Sequence, residues 1–276
     1  MKTAHYYLLY DEDCSLCRWY TNTFVRYGFL QSDARMPFHK GIQDARFSFD
    51  EDRARTEIAL VSDQDQPVRY GIDSLLFILG RRWKWVELIG HFAPIHFLLR
   101  MLYKVISWNR KVIAPVTCTT DCRCEPPLNR FWRLVFILLC GSLTYVLVGS
   151  YFTAYFQENL RWQTPGLEGG LFLVQIGFQF LFFRVFRQRD FWMYAGQIAV
   201  VSAIGALVLG LALLGLNLLS SAGLDVQFLE QTTFGLVLGI MLLEHARRVR
   251  MLGLTKWLTV TWFIFRLAIY PLIFIL

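Results

Sequence analysis

The stretch YDEDCSLC, Tyr10–Cys17, sets two cysteines three positions apart beside acidic side chains. That spacing serves either a cycling dithiol or half of a soft-metal site, and the plainest alternative is two inert buried thiols. A helix starting just after Cys14 would offer free N–H groups and a favourable dipole to a thiolate, which makes Cys14 the candidate nucleophile. Cys17, one turn further on, can reach back to resolve a mixed disulfide. Asp11 and Asp13 oppose that thiolate unless a cation offsets them, and Arg18 is the nearest one in sequence. Alternatively, Asp11 accepts the proton of Cys17.

A second group, Cys118, Cys122 and Cys124, lies in TCTTDCRCEPP. Its C-x3-C-x-C spacing matches no zinc-finger or ferredoxin pattern, and three thiolates leave tetrahedral zinc one ligand short. It is either a second dithiol that exchanges with Cys14 and Cys17, or a site for zinc or another soft metal shared with them, or an incidental cluster. Cys140, inside an apolar run, reads as a small buried hydrophobe.

Which chemistry applies depends on compartment, and composition bears on that. The 276 residues are 55% hydrophobic with a mean hydropathy of +0.39, too apolar for an ordinary soluble domain. Six cysteines are too few for a disulfide-stapled scaffold, and the first ten residues lack the pattern of a signal peptide. The net charge of +7 comes with no basic tract or nucleic-acid motif, so nucleic acid is not an expected partner and the charge reads as topological.

The chain has two unlike halves. Residues 1–113 carry charges of both signs, residues 114–130 form a cysteine-rich linker ending in CEPPLNR, and residues 131–276 are apolar blocks. Five transmembrane spans are expected, at about Phe131–Phe156, Leu167–Phe183, Phe191–Leu219, Leu224–Leu243 and Trp257–Leu276. Arg130 and Arg133, then Arg184, Arg187 and Arg189, then Arg247, Arg248, Arg250 and Lys256 fall on alternate sides, while the other loops hold few cations. This bias puts the N-terminal domain in the cytoplasm of a bacterial inner membrane and the C-terminus on the opposite face. The CxxC then lies on the reducing side.

In the first half, residues 5–10 alternate weakly as a strand, a helix is expected from about Ser15, TEIALVSDQDQPVRYG reads as strand, turn, strand, and IDSLLFILG as a helix with Asp73 near its start. Phe38–Phe49 is a candidate further strand. In Leu88–Trp108, the residues Ile95, Leu98, Leu99, Leu102, Val105 and Ile106 form one stripe of an amphipathic helix, with Arg100, Lys104 and Asn109 off it. That helix packs on the soluble domain or lies in the membrane interface. The order of elements is that of an α/β thioredoxin-like domain, followed here by an all-α bundle of about five transmembrane helices.

With Asp11, Cys14 and Cys17 in a D-x-x-C-x-x-C signature, and with YGIDSLLFIL and LYKVISWNR following, residues 5–113 resemble the DCC family of thiol-disulfide oxidoreductases. Glu12 stands where the family commonly has glycine, and RARTEIALV lacks the proline that thioredoxins place before the hairpin. The resemblance implies thiol–disulfide exchange with protein or small-molecule partners, needing no cofactor, and it does not reach residues 131–276.

Within the expected spans, Arg266 is deep enough to need an interior partner, and counting depth along the helices makes Glu230 the leading candidate. Gln175 and Gln179 share a face of the second span, Gln227 and Gln231 one of the fourth, and Gln197 lies on the third. These groups either line a polar site for a quinone headgroup, an anion or a transported solute, or simply pack the helices together. His245 reads as a surface residue beside the basic loop. The expected protein is a membrane-anchored thiol–disulfide oxidoreductase that passes electrons through the second cysteine cluster. The competing reading is a metal-binding or redox-sensing membrane protein or transporter with cysteine ligands.

Overall fold

The computed structural model describes residues 5–64, 66–115, 128–155 and 167–274, and the chain divides into two compact units, residues 1–133 and 134–276. Cys118, Cys122 and Cys124 lie outside the described residues.

The first unit runs β1 (Tyr6–Tyr10), α1 (Ser15–Arg26), β2 (Arg35–Pro37), α2 (Phe38–Gln43), α3 (Glu51–Thr56), β3 (Ala59–Ser62), β4 (Arg69–Tyr70), α4 (Ile72–Gly80), α5 (Lys84–Gly90) and α6 (Ala93–Ile113). The mixed sheet has the order β2-β1-β3-β4. Strand β1 is parallel to β2, with Leu9 opposite Met36, and antiparallel to β3, with Leu8 opposite Leu60. Successive side chains of a strand point to opposite faces, so the two central strands feed two cores. Leu8, Ile58 and Leu60 pack with Leu30 and Ile78 on one face, while Leu9, Ala59 and Val61 pack on the other. This is why YYLLY alternates only weakly: a central strand is covered on both sides.

One expectation is corrected here. The strand near Phe38–Phe49 is instead Arg35–Pro37, and Phe38 opens α2. Helix α2 lies so close to the sheet that a Cβ on Gly41 would come 2.8 Å from Leu9 Cδ2. The apolar stripe of α6 does not face the core as a unit: Leu98, Leu102 and Ile106 are exposed, and the buried set includes Ser107, Asn109 and Arg110. The helix is turned so that its polar side chains satisfy buried backbone groups of the domain.

The second unit is built from helices α7 (Arg130–Tyr155, which starts at the end of the first), α8 (Leu167–Val185), α9 (Phe191–Ser221), α10 (Gln227–Met251) and α11 (Trp257–Phe274). Among the described residues, two of them, α7 and α9, are long and apolar enough to cross a membrane; the apolar stretches 169–185 and 257–269 are shorter. Helix α9 approaches α10 where Gly205 meets the Met241 side chain, which a Cβ at that position would force to shift. Around it Val201, Leu209, Val237, Met241 and Trp262 form a core with Tyr151 and Phe152.

Candidate functional site

Cys14 is the N-cap of α1, in extended conformation, and its Sγ accepts the N–H of Cys17 at 3.3 Å. A thiol thus takes the capping position usually held by Ser, Thr, Asp or Asn, where an acceptor satisfies an otherwise free first-turn donor. The loop before it is folded on Asp11, whose Oδ1 accepts the N–H of Asp13 at 3.0 Å and whose carbonyl accepts the N–H of Cys14 at 3.3 Å. Cys14 and Cys17 are both free thiols and both buried, in a cluster with Tyr10, Leu16 and Tyr20.

The cation that answers the acidic loop is Arg110, not Arg18, which is exposed on α1. Arg110 comes from the last turns of α6 and pairs through Nη2 with Asp11 Oδ2 at 3.0 Å, both side chains 6% exposed. The same nitrogen donates to the carbonyl of Arg55 at 3.1 Å. Glu12 is taken up elsewhere, by His39 at 2.7 Å.

These contacts shape the titration of the pair. The hydrogen bond from the Cys17 thiol is the largest influence on Cys14; burial opposes it, and the Cys17 N–H and the Arg110 charge add to it, leaving Cys14 lowered from 9.0 to about 7. Cys17 is pushed far up by donating to Cys14 and by burial. One sulfur is therefore prepared as a thiolate and the other held as a thiol. Burial also raises the Asp11 carboxyl despite Arg110, making it a stronger base than an ordinary aspartate.

Helix α6 organises the far wall. Tyr103 Oη accepts the N–H of Ile58 at 2.9 Å, Ser107 Oγ donates to the carbonyl of Thr56, and Arg110 holds Arg55. At i, i+4 and i+7 these three share one face of the helix, and they tie down the segment that precedes β3. Where a proline was missed in RARTEIALV, the chain is instead anchored by side chains. Gly71, with φ of +60°, lets α4 start beside this wall; a Cβ there would lie 3.1 Å from both Glu57 Oε2 and Tyr103 Cε1. Sequence reasoning assigned no role to Tyr103, Ser107 and Arg110, although their spacing within LYKVISWNR was a usable signal.

In the second unit the interior is polar at one level. Gln179 Oε1 accepts from Tyr194 Oη at 2.8 Å, Tyr194 Oη meets His245 Nε2 at 3.1 Å, and His245 Nδ1 meets Thr259 Oγ1 at 3.1 Å. Gln197 bonds Arg248, which pairs with Glu244 at 2.7 Å. His245 is thus buried, contrary to its surface assignment, because α10 continues past its apolar run and carries the "loop" residues inward.

Glu230 and Arg266 are not brought together: among the described residues no ion pair joins them. Arg266 lies over the Trp262 ring at 5.3 Å, and the Glu230 carbonyl accepts from Tyr151 Oη at 2.6 Å. Counting depth along two helices says nothing about their rotation, which is what decides facing. Gln175 is fully buried, and among the described residues its side-chain N and O find no hydrogen-bond partner.

With this geometry in hand, comparison with known proteins is specific for one segment. Residues 8–114 match the family model of DCC1-like thiol-disulfide oxidoreductases. The match contains Asp11, Cys14, Cys17, Tyr103 and Arg110, and it supports a thiol–disulfide redox role for this part of the chain. No curated protein and no solved structure matches the chain.

Proposed function

We propose that the protein is a membrane-anchored thiol–disulfide oxidoreductase: a thioredoxin-like domain over residues 1–113, a linker over 114–130, and a five-helix transmembrane domain over 131–276. The observation that carries the redox reading is the asymmetric pair, with Cys14 capping α1 and Cys17 donating to it beside the buried Asp11–Arg110 ion pair. In the forward direction the Cys14 thiolate attacks one sulfur of a disulfide and expels the other as a thiolate, which takes up a proton. Cys17 then loses its proton to Asp11 and attacks Cys14 Sγ, releasing the second thiol of the substrate and leaving a Cys14–Cys17 disulfide. Two electrons pass from the dithiol to the substrate. Cys14 is only 4% exposed, so a partner gains access after displacing neighbouring side chains such as Leu16.

Support for the membrane reading is the inverted distribution of polarity in the second unit. Gln175, Gln179, Gln197, His245 and Arg248 are buried, while Leu138, Val174, Leu181, Leu211, Leu218, Leu236 and Leu243 are exposed on the outer faces. Water disfavours that arrangement and hydrocarbon favours it. The basic residues of alternate loops favour a cytoplasmic catalytic domain in a bacterial inner membrane, with the exposed Leu98, Leu102 and Ile106 of α6 at the lipid interface. Cys118, Cys122 and Cys124 are proposed to exchange disulfides with the CxxC. Arg266 and Gln175, which among the described residues have no carboxylate and no hydrogen-bonding partner respectively, favour an acceptor-rich guest such as a quinone headgroup in the bundle.

The decisive experiment measures exchange with a small-molecule disulfide. Cys14→Ser should reduce the rate to background, and Cys17→Ser should accumulate a mixed disulfide at Cys14. Undiminished exchange in Cys14→Ser would remove the redox assignment.

A further inference from the structure

Three groups with no part in the thiol chemistry converge at another corner of the first unit. Asp73 comes from the first turn of α4, His91 is the C-cap of α5, and His96 lies in the first turn after Phe92, the N-cap of α6. Taking one donor atom from each, all three lie within 4.8 Å of one another. His96 Nε2 and Asp73 Oδ1 are already 2.8 Å apart, and the imidazoles of His91 and His96 stack at 5.4 Å with planes 24° apart.

The convergence is built by the packing beneath it. Helix α5 is drawn onto α4 at two glycines: a Cβ on Gly90 would collide with Leu76, and one on Gly80 would lie 2.6 Å from Glu87 Oε2. Only with that close approach does the end of α5 reach the start of α4. The His91 N–H bonds the Glu87 carbonyl at 3.0 Å and the His96 N–H the Phe92 carbonyl at 2.8 Å, so both rings hang from hydrogen-bonded backbone.

We propose that Asp73, His91 and His96 bind a borderline divalent cation, zinc first among them. Two neutral imidazoles and a carboxylate are a ligand set that such ions accept and that Mg²⁺ and Ca²⁺, which prefer oxygen, do not. Bonds of about 2.0–2.1 Å set tetrahedral donors about 3.4 Å apart, so the present spacing closes on an ion with side-chain adjustments of about 1–2 Å. The ion takes the place of the hydrogen between His96 Nε2 and Asp73 Oδ1; a neutral His96 then carries its single N–H on Nδ1, and an imidazolium gives up one proton to solvent. His91 is exposed and Asp73 is partly so, which leaves the fourth position open to water. The ion clasps the start of α4, the end of α5 and the start of α6, the helix that holds Asp11 through Arg110.

The test uses full-length protein in detergent, with all six cysteines replaced by serine so that thiolates cannot bind metal. After loading with zinc and gel filtration, one zinc per chain should remain, and His91→Ala and His96→Ala should each weaken its affinity by at least about 100-fold, more than loss of an outer-shell partner costs. His39→Ala, a histidine paired with Glu12 outside the cluster, should leave it unchanged. Should the cysteine-free chain fail to fold, X-ray absorption on the zinc-loaded wild type gives the same answer through nitrogen and oxygen scatterers at ~2.0–2.1 Å, against ~2.3 Å for sulfur. Absence of bound zinc in folded cysteine-free protein, retention of full affinity in His96→Ala, or a sulfur-only shell in the wild type would overturn the assignment.

Discussion

Replacing Cys17 with alanine removes the largest influence that holds Cys14 at about 7 rather than 9.0, while leaving its backbone N–H in place. The perturbation is best read in protein whose remaining cysteines, apart from Cys14, are serine. If the full depression came from the thiol hydrogen bond, it would amount to roughly 3 kcal/mol in favour of the thiolate. At pH 7 the ionised fraction would fall from about one half to about one hundredth, roughly 50-fold. A more basic thiolate is also a better nucleophile, by about 6–10-fold for this difference at a Brønsted slope of 0.4–0.5. The net loss at pH 7 is therefore up to about 5–8-fold; the sign reverses near pH 8, and well above pH 9 the variant becomes up to about 6–10-fold faster. The alkylation rate of Cys14 by iodoacetamide, followed from pH 5 to 10, should give two profiles that cross. The Cys17 N–H and Arg110 remain, so the variant midpoint should stop short of 9.0. An unmoved midpoint, or a rate lowered by one factor at every pH, would refute the hydrogen-bond explanation; the second result would point to altered access instead.

Arg110→Met leaves the buried Asp11 carboxylate without its partner at 3.0 Å, and urea unfolding should show a loss of about 3–5 kcal/mol at neutral pH. The deficit should shrink as pH falls and Asp11 takes up a proton, since a carboxyl with a raised pKa binds to the fold best when protonated; an equal deficit at pH 4 and pH 8 would contradict this. In the second unit, Arg266→Ala should strip co-purifying quinone from detergent-solubilised protein, and wild-type protein that carries none in quinone-replete membranes would dismiss the quinone reading.

Much of the site was legible because local rules wrote it. Cys14 at a helix start, Cys17 one turn on, the helix near Asp73 and the helices of the second unit follow from spacing, capping and hydropathy, each of which acts over a few residues. What spacing could not supply was the cation. Arg18 is four residues from Cys14, but α1 turns it to solvent, whereas Arg110 arrives across the fold on the buried face of α6. The rotation of α6 has a related cause. Leu98, Leu102 and Ile106 mark an apolar face, but which face meets the domain was decided by Tyr103, Ser107 and Arg110 finding the backbone of residues 55–58.

The same division runs through the other clusters. His91 and His96 fall within the amphipathic stretch Leu88–Trp108 and Asp73 stands at an expected helix start, but it is the packing of α5 on α4 that places them together. Glu230 and Arg266 matched by depth, yet the rotation of α10 and α11 keeps them from pairing, and it turns His245 inward to Tyr194. The C-x-x-C pair, its helix and the apolar character of the second unit are written in the sequence, since these depend on neighbours along the chain. The tertiary structure alone decided which charge answers Asp11 and which donors converge, because long-range partners are selected by the rotation of packed helices, a quantity that no local pattern encodes.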